Sequence, residues 1–334
     1  MKYKKLGRTD ISVSTISMGC WAIIGDETWG PQDEADSIAA IHAALDAGVN
    51  FFDTAEGYGQ GASEQLLGRV FAGQPREKLV IATKVGRFAL TFDELIRHCE
   101  ASLTHLRTDY IDLYQVHWPS PKIPIDETLR AMDTLLTQGK IRVAGVSNFG
   151  VSYLNELLAA GRVEANQLCY SLLWRPIEHE VQPICVENDL SILCYSPLCQ
   201  GLLTGKFSSP TDVPDSRART RLFSSARPHA RHGEPGLETE TFRALAEIAG
   251  IARSINQPMN QVALAWLLAQ PGVTSVIAGA RNAEQARLNA RAADVELSAE
   301  VLDALDRATC LLKERVGTNA DLWQHDSRME RPAQ

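Results

Sequence analysis

Asp53, Tyr58, Lys84 and His117 stand at or just past the ends of three successive apolar runs, VNFFDTAEGY, KLVIATK and YIDLYQVH. A carboxylate, a phenol, an ammonium and an imidazole delivered by consecutive strands can converge on one site. The chemistry that suits such a set is proton donation to a carbonyl at neutral pH. A phenol titrates near ~10, so releasing its proton near ~7 takes roughly 4 kcal/mol of help. One ammonium about 4 Å away supplies roughly that at an effective dielectric near 20. On this reading Lys84 tunes Tyr58, Asp53 holds Lys84 charged and oriented, and His117 positions the substrate oxygen or shares the proton. Taken singly, each is also what an ordinary strand terminus offers, Lys84 above all. The joint pattern is what points to a site.

For the four to meet, the runs that carry them must be neighbours with a common direction. After a hairpin signal in KYKKLGRTDISVS, strand-like runs fall at 16–19, 49–53, 79–84, 110–117, 141–147, 165–168, 190–196 and 273–277. Segments with helical spacing separate them, at 33–47, 63–71, 92–106, 125–138, 151–160, 178–188, 239–255, 260–268 and 283–292. Alternation of apolar, β-branched strands with helices predicts an α/β fold, a parallel (β/α)8 TIM barrel with an N-terminal β-hairpin, spanning 1–334 as a single domain. Right-handed crossovers then bring every strand's C-terminal end to one face, where such barrels carry their chemistry.

Composition narrows the partners. The 334 residues carry a formal net charge of -8 and no long Lys/Arg run, which argues against nucleic acid and acidic membranes and for a small-molecule substrate. The N-terminus has early lysines but no apolar core behind them, and no stretch approaches ~18 uninterrupted apolar residues. The expectation is a soluble, unexported, cytoplasmic protein; its oligomeric state is not legible. Seven cysteines without a Cys-x-x-Cys pair fit reduced thiols. His229 and His232 lack acidic or thiol partners at ligand spacing, so no metal site is expected.

One motif misleads. Gly57, Gly59 and Ala62 satisfy G-x-G-x-x-A, and Glu77 lies where a dinucleotide fingerprint would ask for an acid. That acid belongs at the far end of the next strand, however, and the far end here is Lys84. The glycines read instead as a tight loop that projects Tyr58 over the barrel mouth.

GVNFFDTAEGYG, LVIATKVG, DYIDLYQVHWP, GKIRVAGVSNFG, NQLCYSLLWR, CYSPLCQGLLTGKF and VIAGARNAEQARLN together resemble the aldo-keto reductases over nearly the whole chain. The resemblance is to the bacterial branch of general stress and inositol-operon reductases, relatives of the potassium-channel β subunits. It implies an NADP(H)-dependent reductase of small aldehydes, aldoses or related ketones, with Asp53, Tyr58, Lys84 and His117 as the catalytic tetrad and Tyr58 the proton donor. It also leaves a second reading, a cofactor-sensing subunit with slow turnover.

By the same resemblance, Gly19, Cys20 and Trp21 flank the nicotinamide, Asp53 neighbours its ribose, and Ser147, Asn148 and Gln167 meet its carboxamide. Tyr195 would stack on the ring. Ser196, Leu198, Gln200, Gly201, Leu203 and Lys206 would follow the pyrophosphate, and Gly279, Ala280, Arg281, Gln285 and Asn289 the adenosine. Arg281 opens the last helix and suits a 2′-phosphate, which favours NADP(H). Trp21, Trp29, Tyr58, His117 and Trp118, with Trp174 as a further candidate, would wall the substrate, while Trp266 reads as core. The aperiodic segment 205–238 is expected to be a lid or a solvated loop, and its Arg217, Arg219, Arg221, Arg227 and Arg231 could attract an anion. The tail 309–334, with Trp323 and His325, either closes part of the pocket or trails over the surface.

Overall fold

The computed structural model describes residues 1–332, so the last two residues of the 309–334 tail lie outside the described residues. Strands β1 (Tyr3–Lys5) and β2 (Ser12–Ser14) form an antiparallel hairpin. The next eight strands run parallel and close into a barrel: β3 (Ile16–Gly19), β4 (Phe51–Asp53), β5 (Val80–Val85), β6 (Ile111–Val116), β7 (Ile141–Ser147), β8 (Ala165–Cys169), β9 (Ser191–Tyr195) and β10 (Val273–Gly279), with β10 hydrogen-bonded to β3. The predicted (β/α)8 barrel is therefore the fold.

Side-chain alternation within each strand builds two cores. Phe51, Val80, Ala82, Leu113, Val143, Ala165, Leu193 and Ile277 point inward and fill the barrel, and Leu6, Ile11 and Val13 of the hairpin plug its lower end. Residues of the opposite parity, such as Phe52, Ile81, Tyr114 and Ala144, face the helices. Burying each large apolar side chain contributes roughly 1.5–3 kcal/mol. Above the apolar floor the inward positions turn polar: Asp53, Lys84, Gln115, Gln167 and Tyr195 are the next inward residues of β4, β5, β6, β8 and β9, and on β7 Ser147 follows the inward Gly145. Period two thus converts strand ends into one ring of functional groups.

Helices α1 (Glu34–Asp46), α2 (Ala62–Val70), α3 (Phe92–Leu106), α4 (Ile125–Thr137), α5 (Val151–Ala160) and α6 (Val181–Glu187) follow the predicted positions. So do α7 (Glu238–Ser254), α8 (Met259–Leu268) and α9 (Ala283–Arg291). The segment expected as one helix at 178–188 divides into a 3-10 turn at Pro176–Glu178 and the short α6. A tenth helix, α10 (Ala299–Val316), packs on α7 outside the eightfold pattern. The expected tail at 309–334 therefore begins inside a helix. No helix among the described residues is long and apolar enough to cross a membrane.

Candidate active site

Asp53 and Lys84 form a buried ion pair, Nζ to Oδ1 at 2.6 Å, on the adjacent staves β4 and β5. The ammonium also donates to the Thr54 carbonyl at 2.8 Å. The second oxygen of Asp53 accepts from Gln167 at 2.7 Å and from Gln115 at 3.5 Å. Burial by itself lowers the lysine, but Asp53 and Tyr58 together leave it raised, so Lys84 keeps its charge.

Tyr58 caps this pair, with Lys84 Nζ 5.3 Å from its ring centroid. Its turn is pinned by the Tyr58 N–H donating to the Ala55 carbonyl at 3.0 Å. Gly59 takes a left-handed φ of 59°, and a side chain there would strike Ile24. Trp21 stacks on Tyr58 at 5.9 Å, and the His117 ring meets it edge-on at 5.9 Å.

The expected lowering of Tyr58 toward neutrality does not occur in the free protein: burial raises the phenol, and Lys84 offsets this only in part. The reason is that Lys84's charge is already matched by Asp53, whose own charge pushes the phenol up. Tyr58 rests as a protonated phenol. His117 is held down to about 3 by burial, then by Lys84 and Arg328, so its imidazole is neutral at pH 7. A neutral imidazole can donate a hydrogen bond to a substrate oxygen.

These groups open onto a cavity of about 870 Å³ at the C-terminal mouth of the barrel. Gly19, Cys20, Trp21, Ser147, Asn148, Gln167, Tyr195, Ser196, Leu198, Gln200, Gly201, Lys206, Gly279, Arg281, Gln285 and Asn289 all line it. So do Trp29, Tyr58, His117 and Trp118. Lys84 does not; it lies behind Tyr58 and Asp53. Leu203 and Ala280 do not line it: both are buried, and the Leu203 N–H is taken by the Leu198 carbonyl at 3.2 Å. Trp174, expected as a further wall candidate, sits instead in the core and donates to the Ala320 carbonyl at 3.1 Å.

Local geometry shapes the two ends of the cavity. Gly19 and Gly279 are paired in register on β3 and β10, so the wall there has no side chains. Ser196, Cys199, Gln200 and Gly201 all have positive φ, a tight loop whose three non-glycine members each hold strain on the order of 1–3 kcal/mol. Beside it stand three cations, Lys206, Arg217 and Arg281. An anionic dinucleotide fits this end. Arg281 is not idle, however: it donates from Nε to Gln32 at 2.6 Å, and to the carbonyls of Trp29 at 2.9 Å and Pro31. The amide of Asn148 is likewise engaged by Tyr195 OH, Ser147 Oγ and the His117 carbonyl.

Segment 205–238, the expected lid or solvated loop, is packed at Val213, Ala218, Leu222 and Phe223, which are buried. Arg217, Arg219 and Arg231 face the cavity, whereas Arg221 and Arg227 are spent on Glu234, Asp215 and Glu238. The tail supplies Trp323 and Arg328 to the wall, while His325 bonds Glu234 of the lid at 2.9 Å. Arg328 was not foreseen, because its segment has no periodicity to read; it stacks on Trp118 at 3.8 Å and pairs with Asp321 at 2.8 Å. Gln115 was also missed, although its inward parity two residues beyond Leu113 marked it.

Residues 15–309 match the model of the aldo/keto reductase family. The chain is 36% identical over 302 residues to the aldo-keto reductase YhdN of Bacillus subtilis (strain 168), covering 85% of this chain and 86% of that protein. It is 34% identical over 336 residues to the NADH-specific methylglyoxal reductase of Escherichia coli (strain K12), covering 92% and 100%. Among solved structures it resembles an aldo-keto reductase from Klebsiella pneumoniae in complex with NADPH, with a TM-score of 0.72, 29% identity and coverage of 92% and 95%. Family model, relatives and barrel agree: this chain belongs to the aldo/keto reductase family of oxidoreductases.

Proposed function

We propose that this chain, acting as one barrel domain, reduces small aldehydes, aldoses or related ketones to alcohols with NADP(H), Tyr58 being the proton donor. The observation that carries the reading is the Tyr58 ring set over the buried Lys84–Asp53 pair, with His117 edge-on to it, at the mouth of the cavity. The bound nicotinamide would supply the hydride. His117 then donates a hydrogen bond to the carbonyl oxygen and orients it toward Tyr58. As the oxygen becomes an alkoxide it is far more basic than a phenolate, so even a phenol with a raised pKa gives up its proton. Lys84 stabilises the phenolate left behind, and Asp53 keeps Lys84 in place. Trp21, Trp29 and Trp118 keep water from the reacting centre.

Lys206, Arg217 and Arg281 support NADP(H) over NAD(H), since three cations at one end suit the additional phosphate. For Arg281 to serve, it must exchange its bonds to the 29–32 loop for bonds to that phosphate. Seven unpaired cysteines fit a cytoplasmic setting. Steady-state oxidation of NADPH and of NADH, across sugars, uronates, methylglyoxal and aromatic aldehydes, tests the reading. Turnover with NADPH at higher kcat/KM than with NADH is expected. Tight NADP binding with negligible turnover on every carbonyl would instead favour a sensing subunit.

A further inference from the structure

The lid brings several arginines to the cavity, and they do not all stand at one end of it. Of its five arginines, Arg221 and Arg227 are paired with acids. Arg217, Arg219 and Arg231 make no side-chain hydrogen bond or ion pair among the described residues, and all three face the cavity. They divide into two groups. Arg217 stands beside Lys206, Arg281 and Gly201, at the end that suits phosphates. Arg219 stands elsewhere, with its Cζ 4.8 Å from the ring of Trp323 and 5.8 Å from that of Trp21, the same ring that stacks on Tyr58.

Arg219 is held but not satisfied. Its Nε is buried with no hydrogen-bond partner. The one acid near enough to act on it is Asp26. That carboxylate is already committed: one oxygen accepts from Trp21 Nε1 at 2.7 Å, the other from the Thr28 and Trp29 N–H groups at 2.8 Å. Arg231 adds a second positive charge at the same place. Arg328 differs, because Asp321 answers its charge through two bonds, at 2.8 and 2.9 Å. A guanidinium braced between two indoles, with its donors unspent, is arranged to take an anion bidentately.

We propose that Arg219, with Arg231 beside it, anchors an anionic group on the substrate, so that the preferred carbonyl compounds carry a carboxylate or a phosphate a few bonds from the carbonyl. This rests on the reading of the site as a carbonyl reductase and adds the substrate's chemical class. Trp21 is the shared wall: Tyr58 stacks on its ring at 5.9 Å and the Arg219 Cζ stands 5.8 Å from it, so donor and anchor border one cavity.

The test compares matched pairs with saturating NADPH: benzaldehyde against 4-carboxybenzaldehyde, and glyceraldehyde against glyceraldehyde 3-phosphate. In the wild type the charged member of at least one pair is expected to have the higher kcat/KM by about tenfold or more, and the two pairs separate carboxylate from phosphate. Arg219→Gln should lower that value about 10- to 100-fold, mainly through KM, the size expected for charge-assisted bonds, with the neutral member nearly unchanged. Arg219→Lys should recover part of the loss. Equal losses for both members, no wild-type preference, or weaker NADPH binding with the preference intact would overturn the anchor. If no aldehyde is turned over, the reductase reading fails separately. Tryptophan fluorescence of the NADP-loaded protein then decides the anchor: saturable quenching by 4-carboxybenzyl alcohol or glycerol 3-phosphate, lost in Arg219→Gln, supports it, and the absence of both in the wild type refutes it.

Discussion

Tyr58 keeps its proton because burial outweighs a lysine whose charge Asp53 has already answered. The four residues themselves were legible at the ends of their strands, but the sign of this shift was not, since a single ammonium at a fixed distance omits both the burial and the counter-ion. Removing the counter-ion has a definite consequence. Asp53→Asn leaves Lys84 as a buried, unmatched charge, which should lower unfolding stability by about 3–5 kcal/mol in urea titration. A loss well under 1 kcal/mol would mean that the pair is not the structural core of the site. His117 predicts a pH effect with a fixed sign. Above its ordinary value of 6.5 it is neutral folded and unfolded and contributes no pH dependence. As pH falls from 6.5 toward about 3, the unfolded chain takes up a proton that the folded site refuses, so stability drops. His117→Asn should flatten that limb of a stability profile; an unchanged limb would show that the imidazole is not held neutral.

Alternation along the strands explains why so much of the site could be read in advance. Once Phe51 and Leu113 are inward, Asp53 and Gln115 must be inward too, and the same parity selects Ser147, Gln167 and Tyr195. Residues read by contiguity and not by parity are the ones that fall outside the cavity wall: Leu203 and Ala280 share segments with wall residues but are buried. Helix α10 was open to reading, since Ser298 caps it and Leu305, Leu312 and Val316 form its buried face, but the repeat seemed complete without it. The lid and tail were illegible for a different reason: their order comes from long-range polar contacts, which leave no period. Arg221 is the clearest case. It donates to both oxygens of Glu234 and to the carbonyls of Asn319 and Asp321, which ties lid to tail. Arg221→Ala should therefore speed proteolytic cleavage within 205–238 and raise KM, with far-UV circular dichroism unchanged. Equal protease resistance in both proteins would show that the two segments hold their places independently.

Three segments, none of them part of the barrel, complete the site around its mouth: the loop from Trp21 to Gln32, the lid and the tail. Trp21 and Trp29 come from the first, Arg217 and Arg219 from the second, Trp323 and Arg328 from the third. The tail is fastened beyond the site as well, where Glu330 accepts from the N–H groups of Val151 and Ser152 at the start of α5. The molecule thus divides its site, with strand ends and the turns just past them placing Asp53, Tyr58, Lys84 and His117, and the added segments supplying enclosure and charge. If the phenol of Tyr58 delivers the proton, single-turnover reduction of an aldehyde by NADPH-loaded Tyr58→Phe at pH 7 must be slow. With NADPH affinity unchanged, the rate should fall about 10²- to 10⁴-fold below wild type, the range for loss of a general acid. A rate within a few-fold of wild type would contradict the account.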